Sequence, residues 1–290
     1  MAAEVINGKE IVRSIREEIK QEVEELSTRG TTPGLVVIIV GDDQASHVYV
    51  NNKEKACAQV GIQSHVHRLP ADTSQEELVK LIHEYNRNPE FHGILVQSPL
   101  PGHINEEQVV DEITPEKDVD CFHPVNVGNL MIGKEGMLPC TPAGVMEVLK
   151  KIGVSPAGKH AVVVGRSNIV GKPMAMLLLR EHATVTICHS RTPNLQDITR
   201  QADILVAAVG KAGVIEDRHV KPGAVVIDVG MNRNAEGKLC GDVDFDAVKE
   251  IAGYITPVPG CVGPMTITML LKNTLSSARR ASNTGTEAGV

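Results

Sequence analysis

The stretch Val162-Val163-Val164-Gly165-Arg166-Ser167-Asn168-Ile169-Val170-Gly171-Lys172-Pro173 decides the fold. It reads as a strand, a glycine turn and the start of a helix. A continuous apolar run is the mark of a strand buried on both faces of a parallel sheet. Glycines at both ends of such a turn let the backbone approach a pyrophosphate, while the helix start adds amide donors and a favourable dipole. The stretch lacks a full G-x-G-x-x-G, so alone it fits either a phosphate-binding turn or an ordinary tight βα turn.

Downstream, strands are expected at Thr184–Cys188, Ile204–Val209, Val225–Val229 and Tyr254–Ile255, and at Ala161–Val164 within the opening stretch. Helices are expected between them, notably Thr141–Ile152 and Val170–His182. An NAD site usually ends its second strand on an acid for the ribose 2′-hydroxyl. Here Cys188-His189-Ser190-Arg191-Thr192 has none and offers Ser190 and Arg191. With Arg166 these suit a 2′-phosphate, which favours NADP. Each arginine also has a plainer reading as a solvated loop cation. Val209-Gly210-Lys211 and Asp228-Val229-Gly230 put glycines at two more strand ends, the edge where ligands approach open α/β sheets. The candidate dinucleotide residues are Thr141, Gly165, Arg166, Ser167, Gly171, Ser190, Arg191, Gly210 and Gly230.

Upstream, Ile11, Ile15, Ile19 and Val23 mark an amphipathic helix from Gly8 to about Ser27. Leu35–Val40 reads as a buried strand, and Asp42 or Asp43 caps a helix that stops at Gly61. A strand near His65–Leu69, a helix opened by Ser74 and a strand Gly93–Gln97 complete a βαβα rhythm. Ser98 to Pro142, rich in Pro, Gly, Asp and Asn, reads as functional loops with a domain boundary near Pro139–Thr141. A last helix covers about Pro264–Arg280, and Ala281–Val290 reads as a disordered tail. The architecture expected is two α/β domains with a cleft between them.

With 290 residues, the chain is long enough for two such cores, and only three Tyr, three Phe and no Trp leave them to aliphatic residues. A net charge of −7 argues against non-specific nucleic-acid binding. No apolar run reaches the roughly 20 residues of a membrane span, and Met1–Lys9 lacks signal-peptide character. Six dispersed cysteines without a CxxC pair suit reduced thiols, so cytoplasm is expected. No HExxH spacing occurs, and His65 and His67 read as surface residues, so no metal site is expected.

Ser46, Tyr49 and Lys53 lie three and four residues apart and share one helix face. A partly desolvated lysine beside a phenol and a hydroxyl suits acid–base work. Lys53-Glu54-Lys55 also reads as a solvated charge run, and spacing leaves both open.

Tyr49-Val50-Asn51-Asn52-Lys53, Val96-Gln97-Ser98-Pro99-Leu100-Pro101, Lys117-Asp118-Val119-Asp120 and Pro259-Gly260-Cys261-Val262-Gly263-Pro264-Met265-Thr266 resemble, in order, the signatures of the bifunctional methylenetetrahydrofolate dehydrogenase/methenyltetrahydrofolate cyclohydrolase family, in its bacterial single-polypeptide form. The likeness runs from Ile6 to about Arg280. It implies an N-terminal folate-binding lobe (1–140), a C-terminal Rossmann-like NADP-binding lobe (141–263) and a last helix (264–280) returning to the first. It implies tetrahydrofolate derivatives as substrates, NADP as cofactor and a homodimer joined through the Rossmann lobes. Lys53 then becomes the acid–base residue, Tyr49 the residue along the folate, and Gln97 the partner of Lys53. Asp120 binds the pterin, with Ser46, Pro259, Gly260, Gly263, Pro264 and Thr266 also lining the substrate. Alternatives are a dehydrogenase of this fold without the hydrolytic step, or a non-catalytic dinucleotide sensor. Two positions depart from the family: Cys121 and Cys261 stand where glycine is usual. Cysteine there adds strain of about 1 kcal/mol or more wherever the glycine used a positive φ.

Overall fold

A computed structural model describes residues 2–287, with only the backbone described for Gln44, Ala45 and 284–287. The chain begins with β1 (Glu4–Val5), α1 (Gly8–Thr28), β2 (Gly34–Val40), α2 (Gln44–Val60) and β3 (Gln63–Leu69). It continues through α3 (Gln75–Arg87), β4 (Gly93–Val96), α4 (Glu106–Asp111) and α5 (Pro124–Met131). Next come α6 (Cys140–Lys151), β5 (His160–Val164), α7 (Gly171–Arg180), β6 (Thr184–Cys188), α8 (Leu195–Thr199) and β7 (Ile204–Ala207). The rest is β8 (Val225–Asp228), β9 (Asn232–Arg233), β10 (Leu239–Cys240), α9 (Phe245–Val248), β11 (Tyr254–Ile255) and α10 (Val262–Glu287).

These elements form two compact units. One takes residues 2–13, Leu130–Lys134 and Thr141–Thr266; the other takes Ser14–Asn129, Glu135–Cys140 and residues 267–287. The sequence reading put all of 1–140 in one lobe. The first thirteen residues instead go with the 141–266 segment, because β1 pairs in parallel with β11, Glu4 opposite Tyr254 and Val5 opposite Ile255. Two exposed residues carry no alternation that a sequence could show.

In the 141–266 unit the sheet order is β1-β11-β8-β7-β5-β6, with every pair parallel. Such strands are covered on both faces, and β7 and β8 are buried throughout. The order reverses at β5, which has β6 on one side and β7 on the other. That reversal creates a switch point, and the residues after β5 and β7 stand at its carboxyl edge.

The other unit holds a parallel sheet in the order β3-β2-β4. Central β2 is buried along its whole length. Helix α2 is delimited as its sequence dictates: Asp43 accepts from the Ser46 amide at 2.7 Å, and Gly61 takes φ 82° after the last turn. Ser74 and Glu77 form a capping box at the start of α3. Outside β4, an isolated parallel bridge joins Ile94 to Asp118.

Two expectations are corrected. The stretch from Ser98 to Pro142 contains α4, α5 and the start of α6 rather than loops alone. At six and eight residues, α4 and α5 are too short for periodicity to reveal. The expected disordered tail begins as helix, since α10 runs on to Glu287. Extending an existing helix is far cheaper than nucleating one, which small polar residues tolerate. Residues 288–290 of that expectation lie outside the described residues. No helix of the described residues is long and apolar enough to cross a membrane.

Candidate active site

Lys53 sits in the third turn of α2, whose register is fixed by the Asp43 cap and by burial of Val50, Ala56, Cys57 and Val60. Its ammonium donates to Gln97 Oε1 at 2.9 Å. Gln97 follows β4 directly, and its own amide nitrogen donates to the Ser98 carbonyl at 2.6 Å. That second bond orients the side chain so that oxygen, rather than nitrogen, faces the lysine. Lys53 as a residue is only half-buried, yet its ammonium is packed deeply enough for desolvation to lower its pKa. The Asp120 carboxylate opposes that shift without cancelling it. A neutral amide is a weak partner for a cation, so the proton on Lys53 is held loosely.

Asp120 stands at the end of a pinned segment. Lys117 donates to the carbonyls of Tyr85 at 2.9 Å and Asn88 at 2.7 Å. Buried Asp118 accepts from the amides of Phe122 at 3.2 Å and His123 at 2.8 Å and from Asn126 Nδ2 at 2.8 Å. Two of the motif's charges are thus consumed in shaping the loop, leaving Asp120 for other work. Burial raises the Asp120 pKa, the Lys53 charge lowers it, Asp118 raises it, and a hydrogen bond from the Cys140 thiol lowers it. Lys53, Gln97 and Asp120 are therefore brought together within one unit, as expected.

Tyr49 lies one turn before Lys53 on α2 and is half-buried. Ser46 is on the same face but only 3% exposed. The segment Pro259, Gly260, Gly263, Pro264 and Thr266 belongs to the other unit. There Thr266 and Thr141, expected on substrate and cofactor respectively, have hydroxyls 2.9 Å apart. Gly260 takes φ 127°.

The two departures from the glycine pattern prove different. Cys121 holds φ 64°, the left-handed conformation glycine favours. It is fully buried, with its thiol donating to the Met137 carbonyl at 3.1 Å. Cys261 is equally buried but is not among the positive-φ residues. Burial pushes the thiol pKa to about 12 at Cys121 and to about 11 at Cys261. Both are therefore protonated and inert near neutrality.

The switch point shows why its glycines are there. Gly165 takes φ 138°, and a Cβ on it would run into the Ala208 carbonyl. A Cβ on Gly171 would run into the backbone of Gly165. Close approach of the chain to itself, not only to a ligand, demands these glycines. Ser167 Oγ accepts from the amides of Val170 at 3.2 Å and Gly171 at 3.3 Å, so part of the expected amide nest is already capped from within. Arg166, Ser190 and Arg191 are exposed at the ends of β5 and β6. Neither arginine has a salt-bridge partner among the described residues. Two unpaired guanidiniums and no acid after β6 fit a 2′-phosphate.

Sequence reasoning missed Cys140 beside Asp120, and Asn273, whose side chain donates to the Val119 and Leu138 carbonyls, each at 2.8 Å. It also missed Asp242, a buried acid that holds the turn after β7. The only hints were small: a cysteine opening a helix, an asparagine among apolar residues, and glycines beside acids.

A parallel sheet with a glycine turn at its switch point, together with a desolvated lysine on a separate α/β unit, defines a dinucleotide-binding α/β enzyme with acid–base capacity. Comparison with known proteins narrows the class. Residues 6–120 match the catalytic domain of tetrahydrofolate dehydrogenase/cyclohydrolase, and residues 139–282 match its NAD(P)-binding domain. The chain belongs to the tetrahydrofolate dehydrogenase/cyclohydrolase family. It is 63% identical to the bifunctional protein FolD of Geobacillus thermodenitrificans over 280 residues, 97% of this chain and 99% of that one. Among solved structures, FolD of Campylobacter jejuni superimposes with a TM-score of 0.94 at 48% identity, covering 96% and 99% of the two chains. The Trypanosoma brucei FolD, solved with NADP and an inhibitor, gives 0.92 at 44% identity, covering 97% and 99%.

Proposed function

We propose that this enzyme oxidises 5,10-methylenetetrahydrofolate to the 5,10-methenyl form with NADP and then hydrolyses the product to 10-formyltetrahydrofolate. The observation that carries the reading is the Lys53 ammonium, desolvated and held by the Gln97 oxygen at 2.9 Å. NADP, when bound, supplies the hydride acceptor. Removing hydride from the methylene bridge leaves a cation and requires no prior proton abstraction, so the protein's part is alignment. Hydrolysis is different. Water adds to the cationic bridge and loses one proton, a ring nitrogen gains one as its bond to the bridge carbon breaks, and the remaining hydroxyl proton leaves to solvent as the formyl C=O forms. A lysine with a lowered pKa can take the first proton and deliver the second.

Gln97 tunes this cycle because its oxygen accepts a stronger hydrogen bond from the ammonium than from the neutral amine, which favours the charged form. Asp120 receives the pterin's amino and ring N–H donors, and Tyr49 and Ser46 flank the substrate from the same helix face. Pro259, Gly260, Gly263, Pro264 and Thr266 complete the folate contacts. On the dinucleotide side, Arg166, Ser190 and Arg191 hold the 2′-phosphate. Thr141, Gly165, Ser167, Gly171, Gly210 and Gly230 form the surrounding backbone surface. The relative solved with NADP supports this choice of cofactor.

We also propose a cytoplasmic homodimer. The dimer's support is β6, an edge strand of the six-stranded sheet among the described residues, with Ile187 exposed on it and Leu179 exposed on α7. Sedimentation equilibrium showing a monomer at micromolar concentration would refute the dimer. The activity itself is tested by two absorbance assays: NADP reduction with methylenetetrahydrofolate, and decay of methenyltetrahydrofolate without dinucleotide. Hydride transfer without accelerated hydrolysis would leave a dehydrogenase alone, and neither reaction would leave a sensor.

A further inference from the structure

The turn after β7 already holds an anion, and the anion is the chain's own. The backbone amides of Val209, Gly210 and Lys211 donate to the Asp242 carboxylate at 2.6, 3.0 and 3.0 Å. Asn232 Nδ2 adds a fourth bond at 2.9 Å. Asp242 is fully buried. Its own amide donates to Asp228 Oδ1 at 2.9 Å, and the same carboxylate accepts from Gly230 and Val243 at 2.9 and 3.0 Å. Asp228 ends β8 and is tied by its amide to Thr256 Oγ1 at 2.8 Å. Hydrogen bonds thus run without a gap from β8, through Asp228 and the backbone of Asp242, to the turn beyond β7. Glycine is required beside both acids: a Cβ on Gly230 would enter the Asp242 side chain, and one on Gly241 the Asp228 carboxylate.

Consecutive amides in a turn make a concavity that attracts phosphate. Here that concavity is filled from inside. The turn therefore offers no such donors outward, although Ala208 within it abuts Gly165 at the switch point. The cations suited to the adenine half stand on the opposite side, after β5 and β6.

We infer that Asp242 is a positioning residue for the dinucleotide. By drawing the 209–211 amides inward, it sets the turn as a rigid wall for the nicotinamide half and keeps phosphate from being captured there. This rests on the proposal that the unit binds NADP. A carboxylate with four N–H donors is a strong, charge-assisted clamp, and replacing it leaves buried donors without partners.

The test uses the full chain as wild type, Asp242→Asn and Asn232→Ala. NADP and adenosine 2′,5′-bisphosphate are titrated calorimetrically, and amide hydrogen exchange is followed at 209–211. Decay of methenyltetrahydrofolate without dinucleotide reports that the folate unit is intact. Asp242→Asn is expected to weaken NADP by about tenfold or more and to raise the dinucleotide KM more than it lowers kcat. Adenosine 2′,5′-bisphosphate should change by less than about twofold, while exchange at 209–211 accelerates. Should Asp242→Asn fail to fold, Asn232→Ala removes one of the four donors to the carboxylate and is expected to weaken NADP about two- to fivefold. Unchanged NADP affinity, equal loss for both ligands, or fast exchange at 209–211 in the wild type overturns the inference. If the wild type binds no NADP, the cofactor reading fails, and Asp242 is left with no dinucleotide to position.

Discussion

Two clusters of buried charge stand in different units and are satisfied in opposite ways. Asp242 and Asp228 are met by backbone amides, three each, plus the amide of Asn232. Lys53 is met by one neutral side-chain oxygen and by the field of Asp120. Backbone donors cannot leave without unmaking the turn that carries them, so the acids are frozen into the scaffold. The lysine's partner is a side chain on a loop, and desolvation lowers the lysine's pKa. Burial alone does not mark a working residue; what surrounds the charge does.

The contrast can be broken most directly at Lys53. Lys53→Met should reduce methenyltetrahydrofolate hydrolysis by at least about 100-fold, the usual scale of acid–base assistance. Because the change removes a desolvated cation, the urea midpoint should stay level or rise. Undiminished turnover by a folded variant would sink the assignment. Gln97→Ala comes next. Losing the acceptor that favours the ammonium should move the lysine limb of the hydrolysis pH profile to lower pH, with a drop of about tenfold at neutrality. An unshifted limb would show that Gln97 does not tune the lysine.

On the scaffold side, Gly165→Ala forces a Cβ into the Ala208 carbonyl at φ 138° and should cost about 3 kcal/mol in denaturant unfolding. Asp228 sharpens the contrast through pH. Burial outweighs its three amide donors and raises its pKa to about 6 from an ordinary 3.8. The folded state then binds the proton more tightly than the unfolded chain does. The group's stabilising contribution is therefore complete below about pH 4 and is lost as pH rises through about 6. The stability gap between wild type and Asp228→Asn should shrink by about 2 kcal/mol between roughly pH 4.5 and 7; a gap that widens would reverse the sign. Effects no larger than this belong to the two cysteines. Cys261→Gly should destabilise by about 2 kcal/mol, because it empties a packed site without relieving strain. Cys121→Gly should fall within about 1 kcal/mol of wild type, since relief at φ 64° offsets the lost thiol contact.

Much of this was readable in advance. The β2 and β5 runs, the Asp43 cap, Gly61 and Ser74 are local signals, and each produced the element expected. Lys53 stood out as one of two readings of its helix face, but Gln97 and Asp120 were legible only as a family likeness, because 44 residues separate Lys53 from Gln97 and no periodicity spans that gap. The Asp242 clamp was silent. Its partners lie 10 to 33 residues away and are mostly amides, which every residue possesses. The glycines after β5 and β8 were visible, but their reason was half hidden: the chain fills the space a ligand had been expected to use.

Asn273 ties a late helix to an early loop. From α10 it reaches back to the carbonyls of Val119 and Leu138, and Ser277 donates to the Glu116 carbonyl at 2.6 Å. The segment that ends on Asp120 is thus braced from α10, 154 residues further along the chain at Asn273. During synthesis the early strands can assemble, but the segment bearing Asp120 stays without these braces until α10 has been made. A chain halted before α10 would carry Lys53, Gln97 and Asp120 and still lack the side chains that brace the segment around Asp120.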